Sequence, residues 1–465
     1  MNGTWLGINI AASGLFVNQK AMETIGNNIA NANAVGFKRQ RVVIAEGNPA
    51  SGAYASGTTN HTALGTGARV EAIQRMQDEF IEFRLRGANS SAGFWQAMDQ
   101  RLGQIEALFA EPSETAIQGF LDKFWNAWEG LSANPESIPL RANVVRQAET
   151  LATRTRELYN QANQVRYDID FEIDNLVKEI NRIALELMTI NQQIGAANAL
   201  NQSPNALLDR RDYLVSELSK FVNVTQYGKQ GNDYIVNIGG KSLVSGTISL
   251  EVKTVLRADG HKTIVWSDDD SEVNITSGKM AGLVSVRDDY VPNYLQQLDR
   301  IAQTLVTEVN AIHRSGKDLD GKENIDFFTA GGTASSIKVN PDLVSSPRGV
   351  VVGSTGKSGD NSIALRIADL RDSFLIDGLT INGAYGLLVS RLGSDTRVAE
   401  QQGEAHELIA RQFYTQQQSV SGVSLDEEMT DMIRFQQAYN AAARVMTAMD
   451  EMLGVIIDKL GTFGR

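Results

Sequence analysis

The sequence predicts an α+β protein, predominantly helical, built from discontinuous nested domains, and three observations carry that reading. The eight prolines leave long stretches free: none precedes Pro49 or follows Pro347, and none lies between Pro139 and Pro204. Proline ends or kinks a helix, so those stretches can be long helices. Apolar heptads occupy both ends of the chain, and a segment after Val222 alternates apolar and polar residues between Gly, Asn and Asp turns. The order is helices, β insert, helices, which suits a chain whose ends return to one place.

The C-terminal heptad is the clearest element. Leu425, Met432, Tyr439, Met446, Leu453 and Leu460 share one seam position, and Phe435, Ala442, Met449 and Ile456 fill its companion, with Glu428 the single break. At the other end Ile8, Leu15, Met22 and Ile29 also recur every seven residues. Apolar residues sustained at a and d describe helices built to pack on helices. Ser424 followed by Glu427 reads as a capping box, and Asp426, Glu427 and Glu428 set negative charge at the positive end of the helix dipole. Lys459 and Gly461 close the helix. Five of the eleven methionines fall inside it, and methionine suits a surface that packs against non-identical neighbours. A stripe of this kind is equally well explained as core of its own chain.

Between the ends, residues 4 to 33 read as the first helix and 46 to 67 as a Gly/Ser/Thr-rich loop or linker. Helices are expected at 88 to 110 and 114 to 131. The longest pattern runs from 141 to 197, with a seam from Val144 to Ile194 in which Thr155 is the one polar member. Ser203-Pro204 starts another helix, residues 222 to 278 are β-rich, and helix returns at 279 to 314. Residues 315 to 380 are mixed, and helical patterns fill most of 361 to 460. The expected domains are therefore 1–65 with 405–465 as a terminal helical layer, 66–221 with 279–404 as a long-helix bundle, and 222–278 as a β-rich insert.

Composition excludes several functions. The 465 residues carry a formal net charge of -12, and the only tight basic cluster is Lys38, Arg39 and Arg41, so nucleic acid is not an expected partner. There is no cysteine, which excludes disulfides and thiolate metal sites. No apolar run reaches the roughly 18 residues of a membrane helix. The N-terminus does not read as a secretory signal, because no basic residue precedes Lys20 and Asn9 and Ser13 interrupt the apolar run.

Catalytic and cofactor motifs are also missing. Gly240-Lys241-Ser242 and Gly356-Lys357-Ser358 lack the earlier glycine of a phosphate loop, since Ile235 and Val351 stand there. A calcium loop starting at Asp318 would need glycine at Glu323 and a carboxylate at Thr329, so a surface turn is expected. Asp268 to Asp270 read as a solvated hairpin tip. His61, His261, His313 and His406 have no ligand spacing and read as structural or exposed. Neither an enzyme nor a cofactor is expected.

One segment is recognisable. Residues 13 to 40, SGLFVNQKAMETIGNNIANANAVGFKRQ, closely resemble the N-terminal signature of the bacterial flagellar rod, hook and hook-associated axial protein family. The matching positions are Ser13, Gly14 and Leu15, Gln19, Asn27 to Asn31, and Gly36 with Phe37. Ser203-Pro204-Asn205 through Leu208-Asp209 with Arg211-Asp212, and the run from Asp426 to Leu453, resemble its hook-associated members. The resemblance is thin from 325 to 380, where many relatives carry a larger variable domain.

That resemblance implies a non-enzymatic structural adapter of the flagellum joining hook to filament; a hook or rod subunit is the alternative. It implies export by the flagellar type III system without a cleaved signal peptide, location at the hook–filament junction, and assembly through terminal helices. The implied partners are the flagellar hook protein, neighbouring hook-associated proteins, further copies in a ring, and an export chaperone on the C-terminal helix. A cytosolic coiled-coil scaffold is the rival of another class, and the NNIANAN segment disfavours it. The asparagines themselves fit two roles equally, capping of local backbone or amide bonding between subunits.

Overall fold

The computed structural model describes residues 2–47, 65–109, 116–200, 202–228, 234–329 and 331–460. Most of the expected 46–67 linker, and His61 with it, lies outside the described residues.

The helices are long where proline is absent. Helix α1 spans Asn2–Ala30 and α2 spans Glu79–Phe109. Then come α3 (Ile117–Ala133), α4 (Ile138–Ala199) and α5 (Asn205–Phe221). Helix α4 has 62 residues, or about 93 Å at 1.5 Å per residue. Its start is set by Ser137, whose side chain accepts from Leu140 N, with proline in the first turn. The seam from Val144 to Ile194 is buried throughout, and Thr155 satisfies its hydroxyl by donating to Leu151 O.

The β-rich insert is two small antiparallel sheets. Strands β3 (Val224–Tyr227), β4 (Ile235–Ile238), β5 (Lys241–Ser245) and β6 (Ile248–Ser249) form one in sequence order, and β7 (Val252–Leu256) pairs with β8 (Lys262–Trp266). Polar residues of α4 dock the insert by imitating backbone. Asn181 donates to Val252 O and accepts from Val252 N at 2.8 and 3.0 Å, and Asn191 donates to Gly246 O at 2.8 Å. Asp170 accepts from His261 Nδ1, Lys262 N and the buried Arg287.

The chain then returns through α6 (Gly278–Ser285) and α7 (Val291–His313). The single helix expected at 279 to 314 is interrupted by a π-turn at Val286–Tyr290. Pro292 offers no amide hydrogen to the preceding turn, so the ladder resets there. Beyond α7 the mixed region holds α8 (Pro341–Ser345) and α9 (Ser362–Ala368), then α10 (Ile381–Ser421) runs antiparallel along α2. Buried His313 pins this region: Nδ1 faces Ile325 O at 2.7 Å and Nε2 accepts from Val351 N at 2.9 Å. The surface turn expected at Asp318 forms, but Asp318 itself is not at the surface. It is buried and accepts from Asp320 N and Lys322 N, holding an exposed turn from inside.

Two domain limits differ from expectation. Strands β1 (Gln40–Glu46) and β2 (Ala68–Arg75) form an antiparallel ribbon across the limit drawn at 65, and both strands contact α1. Helix α10 passes through the limit drawn at 405 without a break. The main hydrophobic cluster runs from Ala97 to Ala399 and contains no residue of α1, the ribbon, or α11 (Leu425–Leu460). The terminal elements therefore stand outside the core of the body.

Candidate assembly interface

Helices α1 and α11 pack antiparallel, and small residues set the contact. A Cβ on Gly14 would lie 3.6 Å from Ala442 Cβ, and one on Gly7 would lie 3.1 Å from Met449 Sδ and Cε. Further along, Asn28 Nδ2 donates to Glu428 Oε2 at 2.9 Å. The step of seven from Gly7 to Gly14 matches the step from Met449 to Ala442, and the fourteen from Gly14 to Asn28 matches the fourteen from Ala442 to Glu428. The contact face of α1 is thus the heptad Gly7, Gly14, Ala21 and Asn28.

The expected α1 seam lies beside this contact face. Ile8, Leu15, Met22 and Ile29 each lie one residue beyond that heptad and are only half-buried, whereas Ala11, Val17, Ala21, Thr24, Ile25 and Asn28 are buried. Close approach of two helices favours residues without bulk, and a search for large apolar side chains passes over glycine and alanine. On α11 the companion position faces α1: Phe435, Ala442 and Met449 are half-buried, as are Met432, Tyr439, Met446 and Leu453. Leu425 is 53% exposed and Ile456 38% exposed, so neither is covered by α1. The side chain of Leu460 lies outside the described residues. A further set, Met429, Ile433, Val445, Met452, Val455 and Ile457, faces away and is exposed.

The break in the heptad is the most buried position of α11. Glu428 is 1% exposed and accepts from Asn28 and, at 2.6 Å, from Arg39 Nε. Glu427, the expected capping partner of Ser424, instead accepts from Arg39 Nη1 at 2.7 Å. Charge-assisted bonds of this kind are short and strong. Burial works against the Arg39 charge, but Glu428 and Glu427 outweigh it and raise its pKa.

The signature residues act within the chain. Ser13 Oγ donates to Ile10 O at 2.7 Å and accepts from Ala68 N at 3.1 Å, tying β2 to α1. Asn28 holds β1 from both sides, donating to Gln40 O at 2.8 Å and accepting from Gln40 N at 3.0 Å. Asn31 donates to Asn27 O and Oδ1, a local bond within the chain. Gly36 has φ +80 and sits against Tyr213, where a Cβ would approach within 3.0 Å.

The basic cluster 38–41 joins terminal layer to body. Buried Lys38 Nζ lies 2.8 Å from both Glu82 and Asp212, and Lys38 N donates to Asp209. Arg75 Nη1 meets Asp209 and Asp212 at 2.9 Å each. Burial would raise the Asp212 carboxyl, but Lys38 and Arg75 overcome it and hold it below the usual range. Both aspartates belong to the SPNALLDRRD segment.

No catalytic constellation emerges among the described residues, and no group of three His, Asp or Glu could hold a metal ion. Lys241 of the first GKS tripeptide is paired with Asp268 and Asp269. None of the described helices is long and apolar enough to cross a membrane. Basic and acidic side chains lining the cleft between residues 32–38, α2, α5 and α10 are matched with each other: Lys38 with Glu82 and Asp212, Lys220 with Glu217, and Arg411 with Glu407.

The architecture is that of an axial assembly protein: a body with its own core, carrying a paired helical layer made from both termini. Three family models match in succession: flagella basal body rod protein over 8–38, the flagellar hook-associated protein FlgK helical domain over 102–328, and the flagellar basal body rod FlgEFG protein C-terminal over 416–459. The flagellar hook-associated protein 1 of Bacillus subtilis is 29% identical over the full length of both chains. That of Salmonella typhimurium is 27% identical over 97% of this chain and 99% of its own. A solved structure titled the flagellar hook junction protein FlgK from Burkholderia pseudomallei superposes with TM-score 0.66 at 16% identity, covering 72% of this chain and all of that one, which supports the fold. Along its whole length the chain is similar to flagellar hook-associated protein 1.

Proposed function

We propose that this protein is the structural adapter joining hook to filament in the bacterial flagellum. The α1–α11 pair carries the reading. It lies outside the body's core, is held by polar ties at its root, and leaves apolar residues exposed on α11 and on α1 at Trp5 and Phe16. An isolated two-helix layer gains stability from neighbours, and these exposed residues supply the contact area. The assembly part is α1 with the β1–β2 ribbon and α11, and its neighbours are the hook protein, adjoining hook-associated proteins and further copies of this chain in a ring. The chain reaches its site through the flagellar type III apparatus, with α11 held by an export chaperone beforehand. The seam residues named above, with Met429, Ile433, Val445 and Met452, divide between the partner helix and the next subunit.

Immunogold labelling of isolated hook-basal bodies tests the location. Label confined to the distal end of the hook is the expected result, and label along the hook's length would overturn it.

A further inference from the structure

The apolar part of the α1–α11 contact repeats itself. Gly7, Gly14 and Ala21 face a succession of Met449, Ala442 and Phe435, small residues against apolar ones at every level. Sliding α11 by one heptad, about 10.5 Å at 1.5 Å per residue, would set Gly14 against Phe435 or Met449 and keep that character. Packing of this kind discriminates weakly between registers. Position 28 opposite 428 alone carries polar groups on both sides.

We propose that Glu428, acting with Asn28 and Arg39, selects the register in which the two terminal helices pair. In the observed register its carboxylate, 1% exposed, receives Asn28 Nδ2 at 2.9 Å and Arg39 Nε at 2.6 Å. A slide in one direction carries Glu428 beside Ala21, burying a carboxylate without a donor. A slide in the other sets Asn28 against Phe435 and strips Arg39 of its buried partner. A polar residue at one seam position is an effective register device because every wrong alignment leaves it unpaired. Asn28 is itself fixed by Gln40 N and O, so this reference point does not move with α11, and Arg39 N donates to Ser421 O at the end of α10 at 2.8 Å. A correct register matters because it sets the axial level at which the outward side chains of the two helices stand beside each other.

The absence of native cysteine makes the test clean. In the full-length protein, Gly14→Cys with Ala442→Cys places two Cβ atoms near 3.6 Å, inside the roughly 3.5–4.5 Å window of a disulfide. Gly14→Cys with Phe435→Cys, and Gly14→Cys with Met449→Cys, report slides of one heptad each way. Intramolecular cross-linking is read on monomer by non-reducing electrophoresis. With Glu428 present, cross-linking should be confined to the 14/442 pair. With Glu428→Leu, the 14/435 or 14/449 pair should rise to a yield within several-fold of the 14/442 pair, and Glu428→Gln, which keeps the shape and the Asn28 bond, should fall between. Cross-linking still confined to 14/442 in Glu428→Leu would overturn the proposal. Loss of cross-linking at all three pairs would overturn it too, since Glu428 would then sustain pairing, not choose its register.

Discussion

Asn28 and Glu428 are 400 residues apart in the chain and 2.9 Å apart in the fold. Their contact closes the two ends of the protein on each other at a fully desolvated point, and Arg39 completes it from the turn that leads into β1. A carboxylate in that position is costly unless every lone pair finds a donor. The terminal layer has no share in the body's hydrophobic cluster, so polar ties of this kind decide how firmly it is held.

Glu428→Ala should therefore loosen α11 and leave the body alone. The change removes two charge-assisted bonds, worth about 1–3 kcal/mol each when a buried partner is orphaned. Amide hydrogen exchange across α11 should accelerate by one to two orders of magnitude, while α4 keeps its protection. Equal exchange in variant and parent would show that the contact contributes nothing to holding the helix.

Lys38→Met addresses the tie between terminal layer and body. Without the ammonium, Glu82 loses its buried partner and Asp212 is left to Arg75 alone. Removing one member of a buried ion-pair network typically costs about 3–5 kcal/mol. Thermal unfolding should fall by several degrees, and Glu82→Gln in the same chain should recover part of the loss. A melting shift within a degree, or no coupling between the two substitutions, would contradict this role.

Much of this was legible in the sequence, and the parts that were not have identifiable physical causes. The seam of α4 is readable because a helix buried along its length must repeat large apolar residues. The contact face of α1 is not, because it is made of glycine, alanine and asparagine, and the neighbouring Ile8, Leu15, Met22 and Ile29 draw the eye instead. Glu428 reads as a defect until its partners are known, and those lie at 28 and 39. The ribbon is hard to read because its faces differ only as half-buried against exposed, a bulge between Val43 and Ile44 interrupts the alternation, and a long Gly/Ser-rich segment separates the strands. Lys38 and Arg39 look like a surface patch too small to matter, and are instead the fasteners between the two parts of the molecule.

The buried histidine predicts a pH dependence. Burial lowers the His313 pKa from 6.5 to about 4, and the neutral ring is fixed by one donated and one accepted bond. The folded pKa lies below the unfolded one, so the unfolded state takes up the proton first as pH falls. The contribution of His313 is thus whole above pH 6.5 and is lost progressively between pH 6.5 and about 4. A shift of this size corresponds to about 3 kcal/mol. Urea unfolding of the parent should weaken across that window, and His313→Gln should show a shallower slope there. Identical slopes would assign the acid sensitivity elsewhere.

Gly14 offers a size test of the helix contact. Gly14→Ala adds a methyl at an ordinary 3.6 Å from Ala442 Cβ and gains roughly 1 kcal/mol of helix propensity, so α11 protection should hold or rise. Gly14→Leu projects further atoms into α11 and must force the helices apart. Exchange in α11 should then increase, and a strain carrying the variant should lose motility. Equal tolerance of alanine and leucine would mean the helices do not meet at this level.

Trimming separates the two parts most directly, and the structure dictates where to cut. Deleting residues 1–40 with 420–465 would remove Lys38 and leave Glu82 and Asp212 facing each other across its vacated place. A chain spanning 36–424 lacks both terminal helices but keeps Lys38, Arg75 and their carboxylates. Because the core cluster from Ala97 to Ala399 is intact in both, each should unfold cooperatively. The longer chain should melt within a few degrees of the full protein and the shorter one lower by the cost of the lost ion pairs. Neither should support filament growth in a strain lacking the native protein. Filament growth with the 36–424 chain would refute assembly through the terminal helices. Failure of that chain to fold would refute the independence of the body.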